Sequence, residues 1–203
     1  MALATAGQNS AADGLAAVVG FLSLHTGDPS TTGANEATGG SPAYARKAVS
    51  WSAASGGQRV SSGAVTFDVP AGTYLWVGMF SLVTGGTWYG ASPPGGQTPK
   101  VATVVASTDT YTCPSHGLAN DDRCVVFDVE GGGVPTGLTE GTTYWVISVS
   151  GNNFSLSATQ GGASVNVTAD GYLWFQKSIP ETFVGQGQLT IPAGSIALDA
   201  RGA

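Results

Sequence analysis

The sequence predicts an all-β protein in which a β-sandwich host domain, opened by one short helix, carries a second small β-barrel or sandwich. Three observations predict it. Glycine is abundant, at 31 of 203 residues, while apolar residues still make up 42%. β-prone runs of four to ten residues alternate with Gly, Pro, Ser and Asn turns. Charged residues are only 10% of the chain, against about 25% in ordinary soluble domains. Aromatic and β-branched residues are plentiful, so this composition builds a core and is not that of a disordered chain.

The elements follow in order. Residues 10–19 (SAADGLAAVV) predict a helix with Ser10 as N-cap, weakened by Gly14. Residues 20–25 (GFLSLH) predict a buried strand. A Gly/Ser/Thr/Pro segment covers 26–42, and strands are expected at 43–51, 63–69, 73–82 and 87–91. Pro70-Ala71-Gly72 separates two of these runs. Pro192-Ala193-Gly194 does the same near the end, so two similar hairpin-like units are expected.

Between them lies a segment of different character, opened by SPPGGQTPK at Ser92. Short β-prone runs occur at 101–106, 110–113, 123–129, 142–149, 153–157 and 164–168, with turns at Gly151 and Gly161-Gly162. The expected organisation is therefore a host domain of residues 1–97 plus 175–203 with residues 98–174 inserted as a small β-domain. An insertion of this kind sits at a surface loop and projects outward.

Several residue groups invite a chemical reading. Ser23, His25 and Asp28 suggest a hydrolase triad, but no GxSxG elbow is present and three residues within six positions do not easily form one. A strand end followed by a turn explains them. Cys113, His116 and Cys124, with Asp121 or Asp122, match no strong zinc spacing. Two buried thiols or a cross-strand disulfide remain as alternatives. Asn120, Asp121, Asp122, Asp128 and Glu130 form the densest acidic cluster but lack the EF-hand spacing. Gly131-Gly132-Gly133 precedes neither Lys nor helix, which makes it a loop tip and not a phosphate cradle. The reading calls for no catalytic residue, no cofactor and no metal.

The aromatic set Trp51, Trp76, Trp88, Tyr89, Trp145, Tyr172 and Trp174 carries the binding potential. Most of it belongs to core packing. Trp88 and Tyr89, beside a Gly-rich turn, are the candidate contact patch. Large apolar groups on both alternating faces of 74–80 predict a strand covered on both sides.

Seven Lys and Arg against thirteen Asp and Glu give a net charge of −6. The cations are scattered, so no nucleic-acid partner is expected. The longest apolar run, 15–24, is too short to span a bilayer. It is preceded by Asp13 and by no Lys or Arg, unlike a signal peptide. Synthesis in a cytoplasm followed by assembly is the expectation.

Residues 22–55 carry LSLHTGDP, TGANE and GGSPAYARKAVSW. VTFDV at 65–69, VGMFS at 77–81 and IPETFVGQGQ at 179–188 follow in order. Together they resemble the tail-fibre-like or minor tail proteins of tailed phages, of the type common in phages of actinobacteria. HGLANDDRCVVF, GLTEGTTYWV and NNFSLSATQGGASVNVTADG resemble a separate β-module of phage structural proteins. The resemblance implies a non-enzymatic structural protein on the exterior of the virion. It would dock to copies of itself, as a symmetric oligomer, and to other virion proteins. A capsid decoration protein is the alternative, and a carbohydrate-binding module contacting a host-surface glycan is the third.

Overall fold

A computed structural model describes residues 3–94, 99–127 and 133–200. The chain forms two compact units, Met1–Gly96 with Pro180–Ala203, and Gln97–Ile179. In chain order the elements are α1 (Thr5–Val18), β1 (Phe21–His25), β2 (Lys47–Ala48), β3 (Gln58–Val60), β4 (Val65–Val69), β5 (Gly72–Tyr74), β6 (Trp76–Phe80) and β7 (Trp88–Ser92). Then come β8 (Lys100–Val105), β9 (Thr110–Thr112), β10 (Arg123–Phe127), β11 (Thr143–Ser150), β12 (Asn153–Ser157) and β13 (Gly171–Ser178). The last are β14 (Glu181–Phe183), β15 (Gly187–Ile191) and β16 (Ala197–Asp199). The all-β class with one N-terminal helix is as expected.

The first unit is built from small antiparallel sheets. One has four strands in the order β2-β1-β6-β7, and three are ladders, β14 on β5, β15 on β4 and β16 on β3. Leu22 and Leu24 of β1, Phe67 and Val69 of β4, Val77 of β6, and Leu189 and Ile191 of β15 meet in one core. Burial of these side chains is the main force holding the sheets face to face. β6 is buried on both faces, as the sequence predicts: Trp76, Val77 and Phe80 are all at or below 5% exposure.

Helix α1 begins at Thr5, and its N-cap is Ala4 with no side-chain cap. Ser10 instead donates its hydroxyl to the Ala6 carbonyl at 3.0 Å. The helix is anchored from its side, where Arg59 meets Asp13 at 2.7 Å and the Gly57 N–H donates to Asn9 at 2.7 Å. The expected strand over 43–51 is reduced to β2 and a single bridge from Trp51 to Ser61. Trp51 turns inward there and donates its indole N–H to the Val19 carbonyl at 2.8 Å.

The Pro-Ala-Gly corners do not close hairpins. β4 and β5 flank Pro70 yet pair with β15 and β14, and β16 pairs with β3. Proline at the corner donates no N–H, and Tyr74 fixes it by donating its hydroxyl to the Pro70 carbonyl at 2.8 Å. The C-terminal strands thus complete the first unit through long-range pairing.

The second unit is a closed six-stranded antiparallel barrel in the order β10-β11-β12-β9-β8-β13. Its sixth strand is 171–178, and no strand forms over 164–168. Leu173 and Phe175 alternate inward with Ala102, Val104, Tyr111, Cys124, Val126, Val146, Phe154 and Leu156. Closure leaves the barrel no free edge. Phe154 lies at the centre, 5.5 Å from Tyr111, 5.2 Å from Phe175 and 5.3 Å from His116, ring centre to ring centre.

Candidate interaction surface

The best-defined cluster of polar and aromatic side chains in the first unit lies beneath the β6–β7 hairpin. It begins with strand periodicity. Ser23 and His25 are two apart on β1 and so project to the same face. Both are fully buried. The His25 Nδ1 lies 2.7 Å from the Ala34 carbonyl, which can only accept, so Nδ1 carries the proton. In the neutral ring Nε2 is then the acceptor, and the Ser23 hydroxyl donates to it across 2.8 Å. Burial lowers the pKa of His25 from its ordinary value, opposed by the Ala34 hydrogen bond and by Glu36.

Two glycines let the neighbouring backbone approach this pair. Gly78 lies opposite Ser23 on β6. A Cβ there would overlap the Ser23 hydroxyl and the His25 ring and stand 2.6 Å from Trp88. Gly33, at φ +74°, brings the 26–42 segment onto the aromatic cluster, where a Cβ would meet Phe80 at 2.7 Å and Trp88 at 2.9 Å. Trp88 sits edge-on to His25 at 5.3 Å and tilted against Phe80 at 5.0 Å.

Arg46 closes the cluster. Its guanidinium lies 3.3 Å over the Phe80 ring and grips Glu36 with two bonds of 2.7 and 2.8 Å. Its remaining nitrogen donates to the carbonyls of Leu82 and Gly85. Planar bidentate pairing and ring stacking in one side chain are the properties that separate Arg from Lys.

The sequence-predicted patch divides at this point. The Trp88 ring is half-buried in the cluster, whereas Tyr89 is exposed. Leu82 and Val83, at 54% and 52% exposure in the same hairpin, were not singled out from the sequence. Their signal was an apolar pair facing a Gly-Gly turn. Arg46 was likewise missed, although it is one of only seven Lys and Arg in the chain and sits beside Lys47.

The triad is not assembled. Asp28 lies in the following loop and accepts the Ser30 N–H at 2.8 Å, while the Ala34 carbonyl takes the place of an orienting carboxylate. Cys113 and Cys124 are free, buried thiols in the barrel core. Burial pushes the Cys124 thiol up to about 12. His116 accepts the Leu118 N–H at Nδ1 and donates from Nε2 to the Gly151 carbonyl. Asp122 accepts the Ala119 N–H and pairs with Lys177 at 2.6 Å, and Asn120 accepts the Val149 N–H. These oxygens and nitrogens serve turns. No group of three or more His, Cys, Asp or Glu side chains suited to a metal occurs among the described residues. Asp128, Glu130, Gly131 and Gly132 lie outside them.

On the barrel, Trp145 is stacked by Arg123 at 4.2 Å, Trp174 is half-buried, and Tyr172 is 60% exposed. No helix among the described residues is long and apolar enough to cross a membrane.

A family model described as podophage GP4 fiber I protein gp80 matches residues 9–119, more than half of the 203. The matched stretch runs from α1 through the whole β6–β7 hairpin and ends past β9. No curated protein matches the chain. No solved structure matches it.

Proposed function

The chain belongs to the podophage GP4 fiber I protein gp80 family, a family of phage fibre structural proteins, and we propose that it is a tail-fibre-like or minor tail protein on the exterior of the particle. The observation that carries this is the family match, which covers the hairpin and the buried cluster that supports it. The ordered resemblance of residues 22–55, 65–69, 77–81 and 179–188 to minor tail proteins supports the tail over the capsid shell.

In this reading the protein acts by docking and not by catalysis. Ser23 and His25 meet at hydrogen-bonding distance, but both are fully buried and His25 is oriented by a main-chain carbonyl. A buried Ser–His pair without substrate access is a structural tie. Contact with other virion proteins falls to the low-charge surface of the first unit, with Tyr89 and the edge of Trp88 as its aromatic part. The barrel, Gln97–Ile179, is inserted in sequence between the two segments of the first unit.

Quantitative mass spectrometry of purified particles tests the placement. The proposal expects a copy number that is a small multiple of the tail symmetry. A copy number matching that of the shell protein would assign the chain to capsid decoration, and absence from the particle would reject a virion role.

A further inference from the structure

The turn between β6 and β7 is held from beneath while its apolar side chains face outward. Residues 81–87 read Ser-Leu-Val-Thr-Gly-Gly-Thr and contain no ionisable side chain. Arg46 donates to the Leu82 carbonyl at 3.0 Å and to the Gly85 carbonyl at 2.5 Å. The Ser81 N–H donates to the Thr87 carbonyl at 3.1 Å, and the Thr87 N–H donates back to the Ser81 hydroxyl at 2.8 Å. Gly86 takes φ +80°, where a Cβ would stand 2.9 Å from the Leu82 nitrogen. The clamp is itself fixed, because Arg46 is paired with Glu36, stacked on Phe80, and only 10% exposed in its side chain. Leu82 and Val83 nonetheless remain more than half exposed. A loop already ordered in the free protein loses less entropy on docking, which is the benefit of preorganisation.

We infer that the 81–87 turn is a pre-formed docking knob whose Leu82 and Val83 enter an uncharged, apolar pocket on another protein of the particle, with Arg46 as the positioning residue that holds the knob in shape. This rests on the reading of the chain as a virion structural protein. Charge selects the occupant. The turn offers no ionisable side chain, and its nearest cation is neutralised by Glu36 and covered, so an acidic peptide or an anionic lipid surface finds no counter-charge. Tyr89, exposed on the adjoining strand, widens the apolar contact.

The test uses particles assembled without this chain, mixed with the purified full-length protein, with bound protein measured by co-sedimentation. Leu82→Ser with Val83→Ser leaves the Arg46 bonds intact because they end on main-chain carbonyls. It is expected to weaken binding at least roughly ten-fold, as for the loss of central anchors, equally at low and high salt. Amide exchange across 81–87 should not change in this variant. Arg46→Lys keeps the charge against Glu36 but loses the fork. It is expected to speed exchange across 81–87 and to weaken binding as well.

Undiminished binding of the double serine variant would overturn the knob. An Arg46→Lys protein that binds fully, or whose turn exchanges no faster, would overturn the positioning role. Self-association of the wild type that the serine changes abolish would make a second copy the occupant and overturn the pocket on another protein. If the wild type binds no particles, the virion reading falls together with the inference. If both the wild type and the serine variant bind, only the inference falls.

Discussion

Gly78→Ala is the substitution that tests the buried cluster most sharply. Gly78 does not have a positive φ, so the alanine backbone is unstrained and the effect is steric alone. The new methyl would fall between the Ser23 hydroxyl, the His25 ring and the edge of Trp88. Ser23 and His25 are both fully buried. They can yield only by breaking their 2.8 Å bond. Forcing a methyl into a filled site costs about 1–3 kcal/mol, and losing the hydrogen bond adds about 1 kcal/mol. The expected destabilisation is therefore about 2–4 kcal/mol, below the ~5–15 kcal/mol stability of a typical domain. Urea denaturation followed by peptide-resolved hydrogen exchange is the assay, since two units make a single global transition an unsafe assumption. Protection should fall in β1, β6 and β7 and be retained in β11 and β12. Ser23→Ala in the same chain removes one of the clashing atoms, so the double variant should be more stable than the sum of the single effects. A loss under about 0.5 kcal/mol, or strict additivity of the pair, would refute the packing described around His25.

Three further outcomes are expected. Burial holds the pKa of His25 below its ordinary 6.5, so the unfolded chain binds more protons than the native one between the two values; stability of the first unit should fall as pH drops below about 6.5, and His25→Gln should flatten that dependence in urea melts at a series of pH values. Phe154→Ala removes the ring at the barrel centre and should cost about 3–5 kcal/mol, read as loss of amide protection in β8 to β13. With its thiol pushed up to about 12 and fully buried, Cys124 should resist a thiol reagent at neutral pH in the native protein and react once urea unfolds it; rapid native labelling would contradict the closed barrel.

What the sequence disclosed follows the range of the interactions involved. The strand at 21–25 was legible because Leu22 and Leu24 supply apolar burial beside a polar Ser23 within five residues. The strand at 153–157 was legible because Gly151 marks its turn. The pairing of 65–69 with 187–191 was not, since nothing local to Pro70 or Pro192 says that each corner opens toward a partner more than a hundred residues away. The strand at 171–178 was hidden by its own regularity. Tyr172 and Trp174 alternate outward while Leu173 and Phe175 alternate inward, so both faces carry large apolar groups, and the inserted segment was ended at Trp174, inside the strand. Within the site, Ser23 and His25 were visible as residues, but their partner was not, because a main-chain carbonyl leaves no mark in a sequence. Arg46 escaped for a similar reason, since its contacts with Leu82 and Gly85 end on backbone oxygens.

This chain is a fibre-like phage structural protein, and its display at the tail of the particle is the proposal. Immunogold electron microscopy on purified particles, with an antibody raised to the barrel unit, addresses it directly. Gold should be confined to the tail end. Gold spread over the head, or particles that carry none, would contradict it.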